Sequence, residues 1–377
     1  MRITLSCPNT LGYPDGGHVW VFINWALGFK SLGHEVVWLD VVKPEDTDET
    51  NAALIATMRK RLGVYGLADD IALCTKDGKP YDAPGLRPLA DALAADVLCN
   101  HRYDLAPEII RSFKHSMMVD IDPGQLQTCF EMGTYPFVPH TSYFTVGEWP
   151  KYAKASPPKF NTHNVTWHYV PPPVDLASWP VTPPGNDAAF TTVSNWFMSD
   201  DWMPVPENPK EFYDNSKRTA FEPYLGLPKQ TGLPLELCIN IGTYQPEIDL
   251  LKGLGWRVRK SDAVSDPEVY RGYLQTSLGE FSSAKASYVR LQTGWLSDRT
   301  ASYLASGKPA IVLKTGPSDI FPDADGLLRF TDAASAAKAL QNVMANYDHH
   351  CRAARQVAEA QLDARKVLKR ALEIAVG

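Results

Sequence analysis

Residues 294–309, GWLSDRTASYLASGKP, decide the fold of this 377-residue chain. They read as a tight polar loop feeding a helix that ends at Gly307, followed by a strand over Pro309–Leu313. A loop-to-helix junction of this kind holds backbone N–H groups and the positive end of a helix against an anion, usually a phosphate. A second unit of the same form opens the chain. Arg2–Ser6 is a short apolar strand, CPNTLGYPDGG (7–17) a loop, and Val19–Leu32 a helix with Val19, Phe22, Ile23, Ala26 and Leu27 at helical spacing. Gly33-His34 stops that helix, and Glu35–Asp40 is the next strand. One such unit in each half of the chain predicts an α/β protein of two Rossmann-like domains facing each other across a cleft.

Further strands follow the same logic. Asp96–Asn100, His115–Asp122 and Tyr143–Gly147 are short apolar runs ending in polar or Gly residues, as parallel strands buried on both faces do. Residues 156–186 are Pro-rich without helical period and read as an interdomain connection, with a short strand at Thr166–Val170. Beyond it, Ala188–Asn195, Leu235–Asn240, Ala286–Leu291 and Leu327–Phe330 read as strands, and Glu211–Tyr224, Asp266–Leu274 and Arg299–Ser306 as helices. The chain from Ala333 onward is Ala-rich and helical. The expected division is residues 1–175, 187–350 and a C-terminal helix at 351–377 that packs back on the first domain.

Composition bounds the function. Hydrophobic residues make up 44% and charged ones 21%, which suits a globular chain with two cores. A net charge of -6 argues against non-specific nucleic-acid binding, although a local basic groove is compatible with it. The six cysteines show no CxxC pair and no metal-like spacing with His, so reduced thiols in a cytoplasmic protein are expected. MRITLSC does not read as a signal peptide, and no run approaches the roughly 18–20 apolar residues of a membrane span.

The pattern resembles the GT-B glycosyltransferases. The residues that carry the resemblance are Asp15-Gly16-Gly17-His18 with Gly33–Val36, then Gly279-Glu280-Phe281-Ser282 with Lys285. Gly294–Arg299 and Tyr303–Pro309 complete it. Among such enzymes it is similar to the bacterial CgeB-like group with an SDR…YLASG.P signature. The resemblance implies transfer of a sugar from a nucleotide-sugar donor, held mainly by the C-terminal domain, to an acceptor hydroxyl. No cofactor is implied beyond that donor. Many retaining members carry two Glu residues eight apart, and here those positions are Gly294 and Ser302.

The candidate donor-binding residues are Gly16, Gly17, Ser194, Asn195, Glu280, Lys285, Ser297, Asp298, Arg299, Thr300 and Asp319. The helix start at 297–300 is the expected diphosphate site, with Arg299 as a bidentate partner. Asp298 fits there only if it faces a ribose or pairs with Arg299. Lys285 is expected to neutralise the leaving diphosphate, Glu280 to hold ribose or sugar hydroxyls, and Asp319 to touch the donor sugar. The Gly16-Gly17 pair would let the backbone approach a ligand closely. His18 or Asp15 is the expected general base, because imidazole titrates near neutral pH. Asp122, at the end of a strand with Asp120, either orients the acceptor, serves as the base or caps a turn. Trp196 would stack on a ligand or join the core. Tyr135, Phe137, Tyr143 and Trp149 would wall the acceptor side.

No Asp-x-Asp lies in the expected donor loops at 194–196, 280–285 and 297–300, so metal-independent transfer is expected. The acceptor is a small molecule, a glycan or, less in keeping with the charge, nucleic acid. The alternatives are a phage-type DNA glycosyltransferase, a nucleotide-sugar epimerase of the same fold, and a nucleotide-sugar-binding protein with a decayed catalytic site.

Overall fold

A computed structural model describes residues 1–197, 202–206, 208–321 and 323–377. The N-terminal sheet contains β1 (Arg2–Ser6), β2 (Glu35–Val41), β3 (Ile71–Cys74), β4 (Pro80–Tyr81), β5 (Val97–Asn100), β6 (His115–Asp120), β7 (Ser142–Thr145) and β8 (Trp167–Tyr169). Their order is β4-β3-β2-β1-β5-β6-β7-β8, parallel throughout except for β4. After β9 (Phe190–Asn195) comes a separate antiparallel hairpin, β10 (Trp202–Val205) and β11 (Asn208–Asp214). The second sheet adds β12 (Leu235–Asn240), β13 (Arg257–Lys260), β14 (Gly279–Ser282), β15 (Ala310–Leu313) and β16 (Leu327–Phe330). Its order is β13-β12-β9-β14-β15-β16, all parallel. In each sheet the strand order reverses beside the first strand, between β1 and β5 and between β9 and β14. Such switch points open a crevice beyond the C-terminal strand ends.

The helix Gly16–Ser31 is buried on most of its circumference, with Val19, Trp20, Phe22, Ile23, Trp25 and Phe29 all inside. One side meets the N-terminal sheet, another the helix Pro267–Thr276, and a third the C-terminal helix Ala364–Val376. Trp20 Nε1 donates to Pro267 O at 2.8 Å, tying the two halves together. A second tie is a short antiparallel bridge between Gly147 and Trp295, flanked by N–H donation from Glu148 to Gly294 O and from Trp149 to Thr293 O. All six cysteines are free. No helix among the described residues is long and apolar enough to cross a membrane.

Two sequence expectations fail here. Ala286–Leu291 does not form a strand: residues Ala286–Arg290 form a helix, and the strand is the fully buried Gly279–Ser282 just before it. A run of six residues does not distinguish strand from helix by period, and Ser287, Tyr288 and Leu291 are the buried members of this one. Glu211–Tyr224 is not one helix. Its first part belongs to β11, and the helix is Lys217–Phe221, capped by Ser216 Oγ accepting from Thr219 N–H. The hairpin draws its order from outside itself. Met203 and Tyr213 are buried against Phe130, Trp149, Phe160 and Trp167 of the N-terminal half.

Candidate functional site in the crevice between the sheets

The loop after β1 is pinned from below. Asp40, wholly buried on β2, accepts from Thr10 Oγ1 at 2.6 Å and Leu11 N–H at 2.7 Å, with Arg102 at 3.0 Å. Burial raises the Asp40 carboxyl pKa and Arg102 opposes the rise, so this carboxylate anchors the loop and does not face the crevice. Trp38 Nε1 also donates to Thr10 Oγ1.

The loop delivers His18 to a crevice of about 440 Å³ between the two sheets. His18 Nε2 lies 2.8 Å from Pro8 O. A carbonyl only accepts, so Nε2 carries the proton and Nδ1 keeps its lone pair when the ring is neutral. Burial lowers the His18 pKa, with Pro8 O and nearby carboxylates opposing it, a shift that favours the neutral ring. Asp15 lines the same wall and lies 3.6 Å from Arg61.

The opposite wall comes from the ends of β9 and β12 and from the helix Asp298–Ala305. Ser194, Asn195, Asn240, Ser297, Asp298 and Arg299 line it, with Asp262 at one end. Asn240 Nδ2 donates to Asn195 Oδ1 at 3.3 Å. Ser297 Oγ accepts from Arg299 N–H and caps the helix. Burial pushes the Asp298 carboxyl up to about 6. Among the described residues no group of three or more His, Cys, Asp or Glu side chains is placed to hold a metal ion.

Nine of the residues singled out by sequence thus meet at this crevice: Asp15, Gly16, Gly17, His18, Ser194, Asn195, Ser297, Asp298 and Arg299. Several serve ends other than those expected. Gly16 and Gly17 form a contact between the halves. A Cβ on Gly16 would lie 2.5 Å from Tyr270 Cβ and 2.7 Å from Val264 O, and Gly16 N–H already donates to Ser265 O at 2.8 Å. Arg299 is occupied, with Nε 2.9 Å from Glu280 Oε1 and a terminal nitrogen donating to Val193 O at 2.7 Å. Glu280 is fully buried on β14 and also accepts from Ser282 Oγ, so it does not reach a sugar.

Lys285, Asp122, Thr300 and Asp319 lie outside the crevice lining. Lys285 Nζ is 3.2 Å from Gln125 Oε1 and 3.5 Å from Asp122 Oδ1. That same oxygen of Asp122 accepts from Tyr288 Oη at 2.5 Å. These four residues make a further tie between the halves. Asp120 is buried, held by Gln127 and Thr145, and raised to about 7 by that burial. Thr300 is buried, and exposed Asp319 lies against Tyr152. Trp196 belongs to the core, with Nε1 donating to Glu247. Tyr143 and Trp149 are buried in the cluster that includes the hairpin residues Met203 and Tyr213, while Tyr135 and Phe137 are half-buried and pack against it, Phe137 stacking on His163.

Gly294 has φ of 64°, and a Cβ there would meet Glu148 Cβ at 2.9 Å. A Glu at this position has neither the conformation nor the space. Asp40, Arg102, Tyr270, Asn240 and Asp262 carry no motif that singles them out in the sequence. Only Asp40 has a visible signal, as a lone carboxylate inside the apolar run VVWLDVV.

No family model and no curated sequence matches the chain. Solved structures do. An α-glucosyltransferase in complex with UDP-glucose and DNA containing an abasic site aligns with a TM-score of 0.58 at 11% identity, covering 100% of both chains. Sucrose-phosphate synthase from Thermosynechococcus elongatus aligns at 0.56 and 11%, covering 99% of this chain and 98% of that one. Anabaena HepE in complex with UDP-glucose aligns at 0.55 and 9%, covering 99% of each. At these identities the likeness is one of fold: the chain has the two-sheet GT-B architecture of these glycosyltransferases.

Proposed function

We propose that this chain is a glycosyltransferase that moves a sugar from a nucleotide-sugar donor to an acceptor hydroxyl. The observation that carries the reading is the placement of His18 on one wall of the crevice, with the capped helix start at Ser297–Arg299 on the other. On this reading residues 187–350 form the donor side and residues 1–175 the acceptor side. The diphosphate lies against the N–H groups and hydroxyl at 297–300, where a helix dipole favours negative charge. Asn195 and Asn240 supply further polar contacts. Arg299 acts by holding the ends of β9 and β14 in place.

His18 is the base on this reading. Its Nδ1 takes the proton of the acceptor hydroxyl as the hydroxyl oxygen bonds to the anomeric carbon. The bond from that carbon to the diphosphate oxygen breaks, and the nucleoside diphosphate leaves with the electron pair. Asp122 is the weaker candidate, because Tyr288 and Lys285 already engage it. The transfer is proposed to be metal-independent, since hydroxyl and N–H donors at the helix start face the diphosphate position.

The test is a thermal-shift screen against UDP-, GDP-, ADP- and dTDP-sugars with and without EDTA, followed by an acceptor panel. A donor at a hundred times its Kd adds about 2.7 kcal/mol of stability. A shift with one nucleotide, unchanged by EDTA, supports the reading, and no shift with any donor overturns it. Duplex DNA belongs in the acceptor panel, because two solved structures of this fold contain DNA.

A further inference from the structure

A second cavity, of about 360 Å³, lies between the edge strand β8 and the C-terminal helix Ala364–Val376, and none of its lining residues is shared with the crevice. Its size is within the range of small-molecule sites. Two kinds of side chain dominate the polar part of its wall. His168 and Tyr169 supply rings, and Lys151, Lys366 and Arg370 supply three cations, while the Trp167 ring packs against Tyr143 and Trp149. Among the described residues no Asp or Glu lines it, in a chain whose net charge is -6. Such a segregation of positive charge around rings is unusual for a solvated surface, where both signs are interspersed.

The cations are held in different ways. Lys151 Nζ sits 5.2 Å from the Tyr169 ring centre and 3.6 Å from Glu148 Oε1, a carboxylate that is itself wholly buried. Lys366 Nζ donates to Glu359 O at 2.7 Å, which leaves two of its three donors. Arg370 is exposed, one helical turn beyond Lys366. Tyr169 lines the cavity and has a buried hydroxyl without a hydrogen-bond partner among the described residues. Ile320, from the loop between β15 and β16, also lines it, so an occupant touches segments of both halves.

We infer that this cavity is a binding site for a nucleoside monophosphate, separate from the donor crevice. The flat base packs against His168, and the phosphate lies among Lys151, Lys366 and Arg370. Rings alone would suit many planar molecules, and cations alone many anions. Both together in one small cavity select a ligand that is flat at one end and doubly charged at the other.

The experiment is calorimetric titration of the full chain with adenosine 5′-monophosphate, using adenosine and inorganic phosphate as partial ligands. Hydrogen exchange with and without the nucleotide locates the binding. Saturable binding is expected, with protection at 167–171 and 364–374 but not at 297–300. Adenosine and phosphate should each bind at least about tenfold more weakly. Lys151→Glu and Arg370→Glu, both on exposed side chains, should each weaken the nucleotide by a similar factor and leave any UDP-sugar thermal shift unchanged. Absence of saturable binding overturns the inference. So does protection confined to 297–300, or wild-type affinity in both variants. Because the readouts use no sugar transfer, failure here is distinguishable from failure of the glycosyltransferase reading.

Discussion

Gly16 lies directly beneath Tyr270, with room for a hydrogen but not for a methyl group. The contact joins the first helix of the N-terminal half to the helix Pro267–Thr276 of the other half, and it forms one end of the crevice. Gly16→Ala should destabilise the protein by about 1–3 kcal/mol through overpacking. Denaturant unfolding measures this. An unchanged midpoint would mean that the halves separate freely at this point.

Arg299 and Glu280 form an ion pair whose carboxylate is wholly buried. Arg299→Ala strands that carboxylate without its cation and should cost about 3–5 kcal/mol. The double variant Arg299→Met with Glu280→Gln should cost less than Arg299→Ala alone. Equal losses in the single and double variants would show that the pair contributes through something other than charge compensation.

His18→Ala should lower turnover by about 10²–10⁴-fold while leaving donor affinity nearly unchanged, as expected for loss of a general base. Steady-state kinetics with a separate donor titration divides the two effects. Burial lowers the His18 pKa from its usual value, so the wild-type rate should stay level through neutral pH. It should fall only in acid, where the ring gains a proton.

Asp298 carries the opposite sign. Its carboxyl is pushed up to about 6 by burial, so above that pH it is an anion beside the proposed diphosphate site and below it is neutral. Donor affinity should therefore rise as pH falls through about 6, and Asp298→Asn should flatten the dependence. A slope that persists in Asp298→Asn assigns the effect to another group.

Asp122 and Tyr288 test the assignment of the base from the other side. Tyr288→Phe removes the hydroxyl that donates to Asp122. It should lower stability by about 1 kcal/mol with a small effect on turnover. Asp122→Asn should cost much less turnover than His18→Ala. The reverse ranking in parallel kinetics would move the base to Asp122.

The local chemistry of the crevice is legible in the sequence because it depends on neighbours along the chain. A Ser cap before a helix, a loop of small residues after a short apolar strand and a Gly at a helix end act within a few residues. Ser194, Asn195, Ser297, Asp298 and His18 therefore stand out from the sequence alone, and all five line the crevice. Apolar period likewise places β1, β2, β9 and the helix Gly16–Ser31 within a residue or a few. What tertiary structure alone decides is where each side chain spends its hydrogen bonds. Glu280 and Arg299 lie 19 positions apart and find each other only when β14 pairs with β9. Gly16 meets Tyr270, and Asp122 meets Tyr288, across more than 160 positions. The residues around 286 form a helix because β14 already takes the buried strand position. Spacing along the chain fixes which face of an element a residue occupies; only packing fixes what lies opposite that face.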